Sequence, residues 1–199
     1  MRVSSRACFG EDMQKLITSI RVFFGFAILL GLGYPLFIVV ISNAIFPYQA
    51  NGSLLEHNDK TIGSALIAQE FTSHKYFHSR FSAVNYDARN SGGSNLAASN
   101  EKLYKQTEKY INHVRIENDF KADLKIPADM VLSSASGLDP HISLANAMLQ
   151  LPRIEKHRHL NKAFIKRLIY DSLDHDFIGV WGKPGVNVLK LNLALDGAL

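Results

Sequence analysis

From Val22 to Ile41 the chain runs for twenty residues without a charged side chain, and the next charge does not come until Glu56. Nothing else in the sequence restricts its folding so strongly. A run this apolar is stable in lipid only if every backbone N–H and C=O is paired within the segment, which demands a helix. At about 1.5 Å per residue, such a helix spans roughly the hydrocarbon thickness of a bilayer. Two outcomes fit: a retained anchor, or a secretory signal that is cut away. Ser42-Asn43-Ala44 offers a small-residue cleavage site. A signal has a shorter apolar core, about 7–15 residues, and a cleanly basic leader. This leader is long and carries Glu11 and Asp12, so the anchor is the expected outcome.

Charge around the run sets its expected direction. Arg2, Arg6, Lys15 and Arg21 precede it, and no Lys or Arg follows until Lys60. Positive residues close to a span stay in the cytoplasm. The expectation is therefore a single-pass membrane protein with its amino terminus inside and residues 47–199 outside, which in a Gram-negative cell means the periplasm. Three segments follow: a loose cytoplasmic tail over 1–15, an anchor region over 16–46 and a soluble domain over 47–199. Within the anchor Ala27 and Gly31 lie four apart, a spacing that lets a partner helix come close. Pro35 removes a backbone donor and is expected to kink the helix. With no charge inside the span, the segment cannot form an ion path alone.

The outer 153 residues suffice for one domain with its own core. They carry 18 Lys/Arg against 16 Asp/Glu, a balance that argues against a nucleic-acid partner. The one cysteine, Cys8, lies in the tail, so the domain has neither a disulfide framework nor thiol chemistry. Patterning gives an α+β domain. A short hairpin is expected over 53–63 around His57-Asn58-Asp59, and a helix capped by Asn100 with Leu103, Thr107, Tyr110, Ile111 and Val114 on its inner face. Met130-Val131-Leu132 reads as a short strand. Ser143 caps a helix through Leu151 that Pro152 interrupts or restarts, and Asn161 caps another with Phe164, Ile165, Leu168 and Ile169 inward. Phe177 to Trp181 and the segment from Val186 form a second hairpin. Leu189, Leu191, Leu193 and Leu195 alternate with other residues at strand period.

Candidate chemistry gathers in two loops. Asn90-Ser91-Gly92-Gly93-Ser94-Asn95 has nest-forming composition but lacks the lysine of a phosphate loop. Ser133 to Ser143 places Ser136, Gly137, Asp139 and His141 close in sequence. Triad members are assembled by a fold rather than by adjacency, and no Gly-x-Ser-x-Gly elbow is present. Loops so rich in hydrogen-bonding groups are often ordered by a partner. Gly92, Gly93, Ser136, Gly137, Asp139 and His141 are accordingly partner-docking candidates, with Ala27 and Gly31 in the anchor. Asp139 also offers negative charge near an outer cation entrance. His74 and His78 sit four apart, a spacing that suits a metal on a helix, but no thiol partner is near and no metal ligand set is expected. The basic segment from Arg153 to Arg167 can meet an acidic partner or lipid headgroups.

A series of blocks then resembles one family. They are Ala50-Asn51-Gly52-Ser53-Leu54, the stretch from Gly63 to Gln69, Tyr76-Phe77-His78-Ser79-Arg80, the stretch from Ser91 to Leu96, that from Ser136 to Ser143, Gln150-Leu151-Pro152-Arg153, and that from Val186 to Asp196. In this order they look like the signatures of KdpC, the C subunit of the bacterial high-affinity potassium-transporting (Kdp) ATPase. Phe81 stands where the family usually has Pro, Ala68 and Glu70 where it favours Gly and Asn, and the amino-terminal tail is longer. The resemblance implies a non-catalytic subunit. Its partners would be a channel-like potassium-translocating subunit, a P-type ATPase subunit and a small stabilising peptide, together with membrane lipid. The chain has no Asp-Lys-Thr-Gly-Thr phosphorylation motif and is not the pump subunit. The resemblance further implies a catalytic chaperone that raises the pump's ATP affinity, with Gln150 the match for a nucleotide-contacting glutamine. No cofactor is expected to be bound firmly; ATP enters through the complex. Gln150 and ATP fall on opposite sides of the membrane in the topology above. The rival reading is a membrane-tethered periplasmic enzyme or binding protein using His141 or Asp139.

Overall fold

A helix started inside the apolar run has no Pro or Gly to stop it at its amino-terminal side until Gly10, and propagation costs little once a helix exists. In the computed structural model, which describes residues 4–174 and 182–197, helix α1 (Ser4–Ile28) therefore extends well beyond the apolar run. The loose tail expected over 1–15 is helical from Ser4. Thr18 and Ser19 bond back to the carbonyls of Gln14 and Lys15. The chain divides into one unit up to Ser53 and another from Leu54.

Pro35 leaves its mark one turn before itself. Its ring would meet the carbonyl of Gly31, and it has no N–H to offer. The helix widens into a π turn over Leu29–Gly33, with Tyr34 N–H bonded to the Leu29 carbonyl, before α2 (Tyr34–Ile45) resumes. The apolar helical stretch Asp12–Ile45 spans 34 residues, long enough to cross a membrane. All side chains from Val22 to Val40 are exposed, as a lipid-facing or partner-facing helix requires. The short α3 (Pro47–Ala50) follows, and Gly52 turns at a φ of 84°.

The second unit begins with a hairpin, β1 (Leu54–His57) paired antiparallel with β2 (Lys60–Ser64). Its two turn residues, Asn58 and Asp59, both have positive φ, the twist a two-residue hairpin needs. Helix α4 (Glu101–Asn118) is capped by Asn100 and buries the anticipated face. Residues 130–132 are not a strand. A 3-10 turn (Ala128–Met130) follows Pro127, because the Asp129 carboxylate accepts from Ser143 N, Ser143 Oγ and Asn146 Nδ2 and pulls the segment onto the next helix.

That helix, α5 (Leu144–Arg158), runs through Pro152 instead of breaking there. An interior Pro costs about 3 kcal/mol in an isolated helix. Here Gln150 and Arg153, on either side of it, bond to a neighbouring segment and hold both turns in place. Helix α6 (Lys162–Asp171) has its Asn161 cap, with Ile165 and Ile169 buried and Phe164 largely exposed.

The second sheet has three strands in the order β3-β5-β4, all antiparallel: β3 (His141–Ile142), β4 (Leu173–Asp174) and β5 (Gly185–Asn187). The strand expected over 177–181 lies outside the described residues. The run Val188–Leu195 is helix α7, not a strand. Its cap is Asn187, whose side chain accepts from Lys190 N. The alternating leucines are misleading because α7 is buried on two sides. Leu189 and Leu193 pack with Leu55 and Ala65, whereas Val188, Leu191 and Leu195 join Phe77, Ile142, Leu151, Ile154, Ile165 and Ile169. A third cluster, Val114 with Met130 and Val131, seats α4.

Candidate functional site

Residues 71–81 form no regular element, so their backbone polar groups must be satisfied by side chains. Two buried amides do this. Asn192 on α7 accepts from Phe77 N and donates to Phe77 O, at 2.8 and 2.9 Å. Gln150 on α5 does the same for His78, at 2.8 and 3.0 Å. Gln150 also accepts from Arg153 Nη2 and donates to Asn146 Oδ1, which uses all four of its hydrogen-bonding positions, and its residue is 2% exposed. Arg153, itself buried, donates to the carbonyls of His74 and Tyr76 and to Asn118 Oδ1. Burial pushes the Arg153 guanidinium below its ordinary value, with Glu117 opposing. Phe77 is thereby held within the main core, the strap 71–81 presents Arg80 to the loops beyond, and Ser82 follows just after it.

The structure brings both Gly/Ser loops together. Gly92 N–H donates to the Ser136 carbonyl at 2.8 Å, and Ser91 Oγ donates to the same oxygen. Ser82 Oγ donates to the Gly137 carbonyl at 2.6 Å. Gly137 has a φ of 69°, and a Cβ there would lie 2.6 Å from Val84 and 2.7 Å from the Gly92 carbonyl. A Cβ on Gly93 would lie 2.8 Å from the Ala135 carbonyl. Glycine is thus required at 93 and 137 because one backbone passes directly over the other. Gly92, Gly93, Ser136 and Gly137 form one platform.

From that platform a line of alternating charges crosses the surface. Arg80 Nη1 lies 3.2 Å from Asp139 Oδ2, and Asp139 Oδ1 accepts from His141 N at 3.0 Å. His141 Nδ1 lies 3.5 Å from Asp139, and its Nε2 lies 2.9 Å from Asp174 Oδ2. Lys190 Nζ closes the line, 2.9 Å from Asp174 Oδ1. The hydrogen bond from His141, then its charge and that of Arg80, hold the Asp139 carboxyl below its ordinary range despite burial. Asp139 and then Asp174 hold the His141 imidazole above its ordinary value. Burial works against the Asp174 carboxylate, but His141 and Lys190 outweigh it and its value falls.

Both ring nitrogens of His141 face carboxylates, which tie the ring to Asp139 on one side and Asp174 on the other. Ser143 Oγ points to Asp129 and caps α5, and Ser136 Oγ accepts from Leu138 N. The Asp139 charge is taken up by Arg80 and His141 and is not free for a passing cation. Ala27 and Gly31 belong to the other unit, where the space beside Gly31 is open. Gln150 lies beneath the strap.

Several important residues gave no local signal in the sequence. Asn192 and Arg153 act on segments 115 and 77–79 residues away. Glu117, with its side chain 9% exposed, receives His78 at 3.0 Å, His74 at 3.7 Å and His113 at 4.0 Å. The spacing of His74 and His78 does not serve a metal among the described residues; both face an acid that arrives from α4. This cluster lines a cavity of about 490 Å³ that also takes in Glu70, Phe81 and Tyr86. Phe81 stacks on Tyr110 with ring centroids 3.7 Å apart.

Known proteins resemble the chain over most of its length. The chain is 45% identical over 186 residues to a potassium-transporting ATPase KdpC subunit of Caldanaerobacter subterraneus subsp. tengcongensis, covering 94% of this chain and 95% of that one. It is 43% identical over 185 residues to the KdpC subunit of Mycobacterium bovis, covering 92% and 98%. Against the KdpC subunit of Acidobacterium capsulatum it is 46% identical over 186 residues, again covering 92% and 98%. The description of one family, K+-transporting ATPase, c chain, matches residues 16–197, which takes in the apolar span, the strap and both loops. The chain belongs to the KdpC family.

Proposed function

We propose that this chain is a non-catalytic, single-pass subunit of an ATP-driven potassium uptake complex in a bacterial inner membrane. Its apolar span anchors it beside the other subunits, with its amino terminus in the cytoplasm and the domain from residue 47 outside. The platform of Gly92, Gly93, Ser136 and Gly137, with the adjoining Asp139 and His141, docks on the outer face of the channel-like subunit. The P-type ATPase subunit and a small stabilising peptide complete the assembly. Any gain in the pump's ATP affinity then comes through assembly, because Gln150 is committed to the strap on the far side of the membrane from the nucleotide.

The observation that supports this reading is the family match over residues 16–197, which includes span and folded unit without a break. The charge asymmetry around the span supports the direction. Alkaline phosphatase fused to the carboxyl terminus tests the topology: activity is expected, and an inactive fusion beside an active cytoplasmic reporter at the same site rejects it. Docking is tested by replacing the 91–95 and 134–139 loops with unrelated flexible sequence. The tagged chain is then expected to lose the channel-like and ATPase subunits on purification, and full recovery of both would reject the docking platform.

A further inference from the structure

The cavity that Glu117 shares with the strap holds about 490 Å³, within the usual range for small-ligand sites. Its lining passes from wet imidazoles to a buried acid. The side chains of His74 and His113 are 56% and 61% exposed, that of Glu117 only 9%. His78 Nδ1 lies 3.0 Å from Glu117 Oε1. The other carboxylate oxygen, Oε2, is less well served. His113 Nε2 stands 4.0 Å from it, beyond hydrogen-bond reach, and no other donor meets it among the described residues. Ser79 lines the same cavity, and its Oγ is buried without a hydrogen-bond partner among the described residues. A buried polar atom left unpaired costs about 1–3 kcal/mol, and folded proteins contain few. A carboxylate oxygen and a hydroxyl in one cavity match a ligand that brings N–H groups.

The walls give that ligand its sign. Burial works against the Glu117 charge, but the hydrogen bond and charge of His78, followed by Arg153 and His113, overcome it and lower its value. Glu70, exposed at the rim, forms no ion pair or hydrogen bond among the described residues. Burial and then the Glu70 charge push the Tyr86 phenol up to about 12. Tyr86 lines the cavity with Phe81 and Tyr110, and the negative faces of such rings also favour a cation. Arg153 does not neutralise the acid by contact, because its N–H groups go to oxygens of Asn118, His74, Tyr76 and Gln150. A metal ion is a poor match: no group of three His, Cys, Asp or Glu side chains is placed to hold one among the described residues.

We infer that this cavity binds an alkylamine cation, with N–H donors for Glu117 Oε2 and Ser79 Oγ, an alkyl stem for the aromatic wall and Glu70 drawing positive charge at the rim. An ammonium group has three donors and no acceptor, which is what these oxygens require. A free polyamine and a lysine side chain of a neighbouring subunit carry the same chemistry. None of Gly92, Gly93, Ser136 and Gly137 lines the cavity, so the inference does not depend on the docking reading.

Calorimetric titration of the full-length chain, in nanodiscs of zwitterionic lipid, tests it with cadaverine as the probe and the diol of the same length as the neutral control. Saturable binding of cadaverine and none of the diol is expected. Glu117→Gln should weaken binding roughly tenfold or more, as loss of a charged hydrogen-bond acceptor does. Glu70→Gln, at an exposed site, should weaken it about twofold to fivefold. Ser79→Ala keeps the test open if Glu117→Gln folds poorly. It removes a hydroxyl that has no partner, so the melting temperature should hold or rise while cadaverine binding falls severalfold. The assembled complex then separates the two sources. Binding retained there assigns the site to a free amine, and binding blocked there assigns it to a neighbour's lysine. No saturable binding to the chain alone, equal binding of the diol, or undiminished binding in folded Glu117→Gln or Ser79→Ala overturns the site.

Discussion

His141 reaches Asp174 over the bare backbone of Gly185, with Nε2 2.9 Å from Oδ2. A Cβ at Gly185 would stand 3.0 Å from the Cβ of His141. The middle strand of the sheet carries no side chain at the point where its two neighbours exchange charge.

His141 should make stability depend on pH with a defined sign. Its raised value means that its contribution is complete below the ordinary imidazole range and lost as pH rises through the raised one. Asp139 and Asp174 are lowered, so theirs is present above the ordinary carboxylate range and lost as pH falls through their depressed values. The groups are partly exposed, and solvent screening limits the total to about 1 kcal/mol. Urea unfolding of the full chain and of His141→Asn should differ most near neutral to mildly acidic pH and converge at alkaline pH. Equal differences at all pH values would reject the coupling.

Gly185→Ala should cost about 1–2 kcal/mol, as a crowded methyl does in a packed site. It should also shrink the pH-dependent part of the His141 contribution, because the ring is displaced from Asp174. The same urea titrations read both effects.

Gly137→Val should disrupt the loop platform, since its φ of 69° is unfavourable for a β-branched residue and its side chain would strike Val84 and the Gly92 carbonyl. Asp139→Asn keeps the shape but releases Arg80 and His141. Potassium-stimulated ATPase activity of the assembled complex should fall severalfold with Gly137→Val and only slightly with Asp139→Asn. A larger loss with Asp139→Asn would assign the platform an electrostatic rather than a steric role.

Gln150→Ala should act as a folding defect. Four hydrogen bonds are lost, two of them to the buried Asn146 and Arg153 and two to the half-buried His78 main chain, a loss of about 2–4 kcal/mol. Thermal unfolding of the isolated full-length chain should show this without any nucleotide. An unchanged melting temperature with weakened ATP binding in the complex would point instead to direct nucleotide contact.

Gly31→Leu should weaken assembly through the anchor. Among the described residues, nothing beyond the helix's own neighbouring backbone lies within 4 Å of a Cβ added there, so the change is expected to disturb the isolated chain little. A partner helix packed closely at that face would be pushed away. Reduced co-purification with unchanged unfolding of the chain alone is the expected pair of results.

The parts of this fold legible in the sequence are those determined within a few residues. Asn100, Ser143 and Asn161 cap their helices because an N-cap bonds only two or three positions ahead. Asn58-Asp59 turns its hairpin for a similarly local reason. Leu189 to Leu195 misled because alternation distinguishes strand from helix only when one face is buried, and α7 is buried on two. Pro152 misled because its helix is held from outside. At the candidate site the glycine loops could be recognised, but not that one lies across the other. The imidazole cluster was invisible, because its acid stands about forty residues from His78.

The amide grip on the strap has a consequence for how the domain is made. Phe77 is held by Asn192, 115 residues further along the chain, and His78 by Gln150, 72 residues further. Closing such long loops is entropically costly and slow. During synthesis the central phenylalanine waits without its partner until the carboxyl-terminal helix has emerged. A chain stopped short of α7 lacks Asn192 and both of its bonds to Phe77, so the core beneath the strap closes only once α7 has been made.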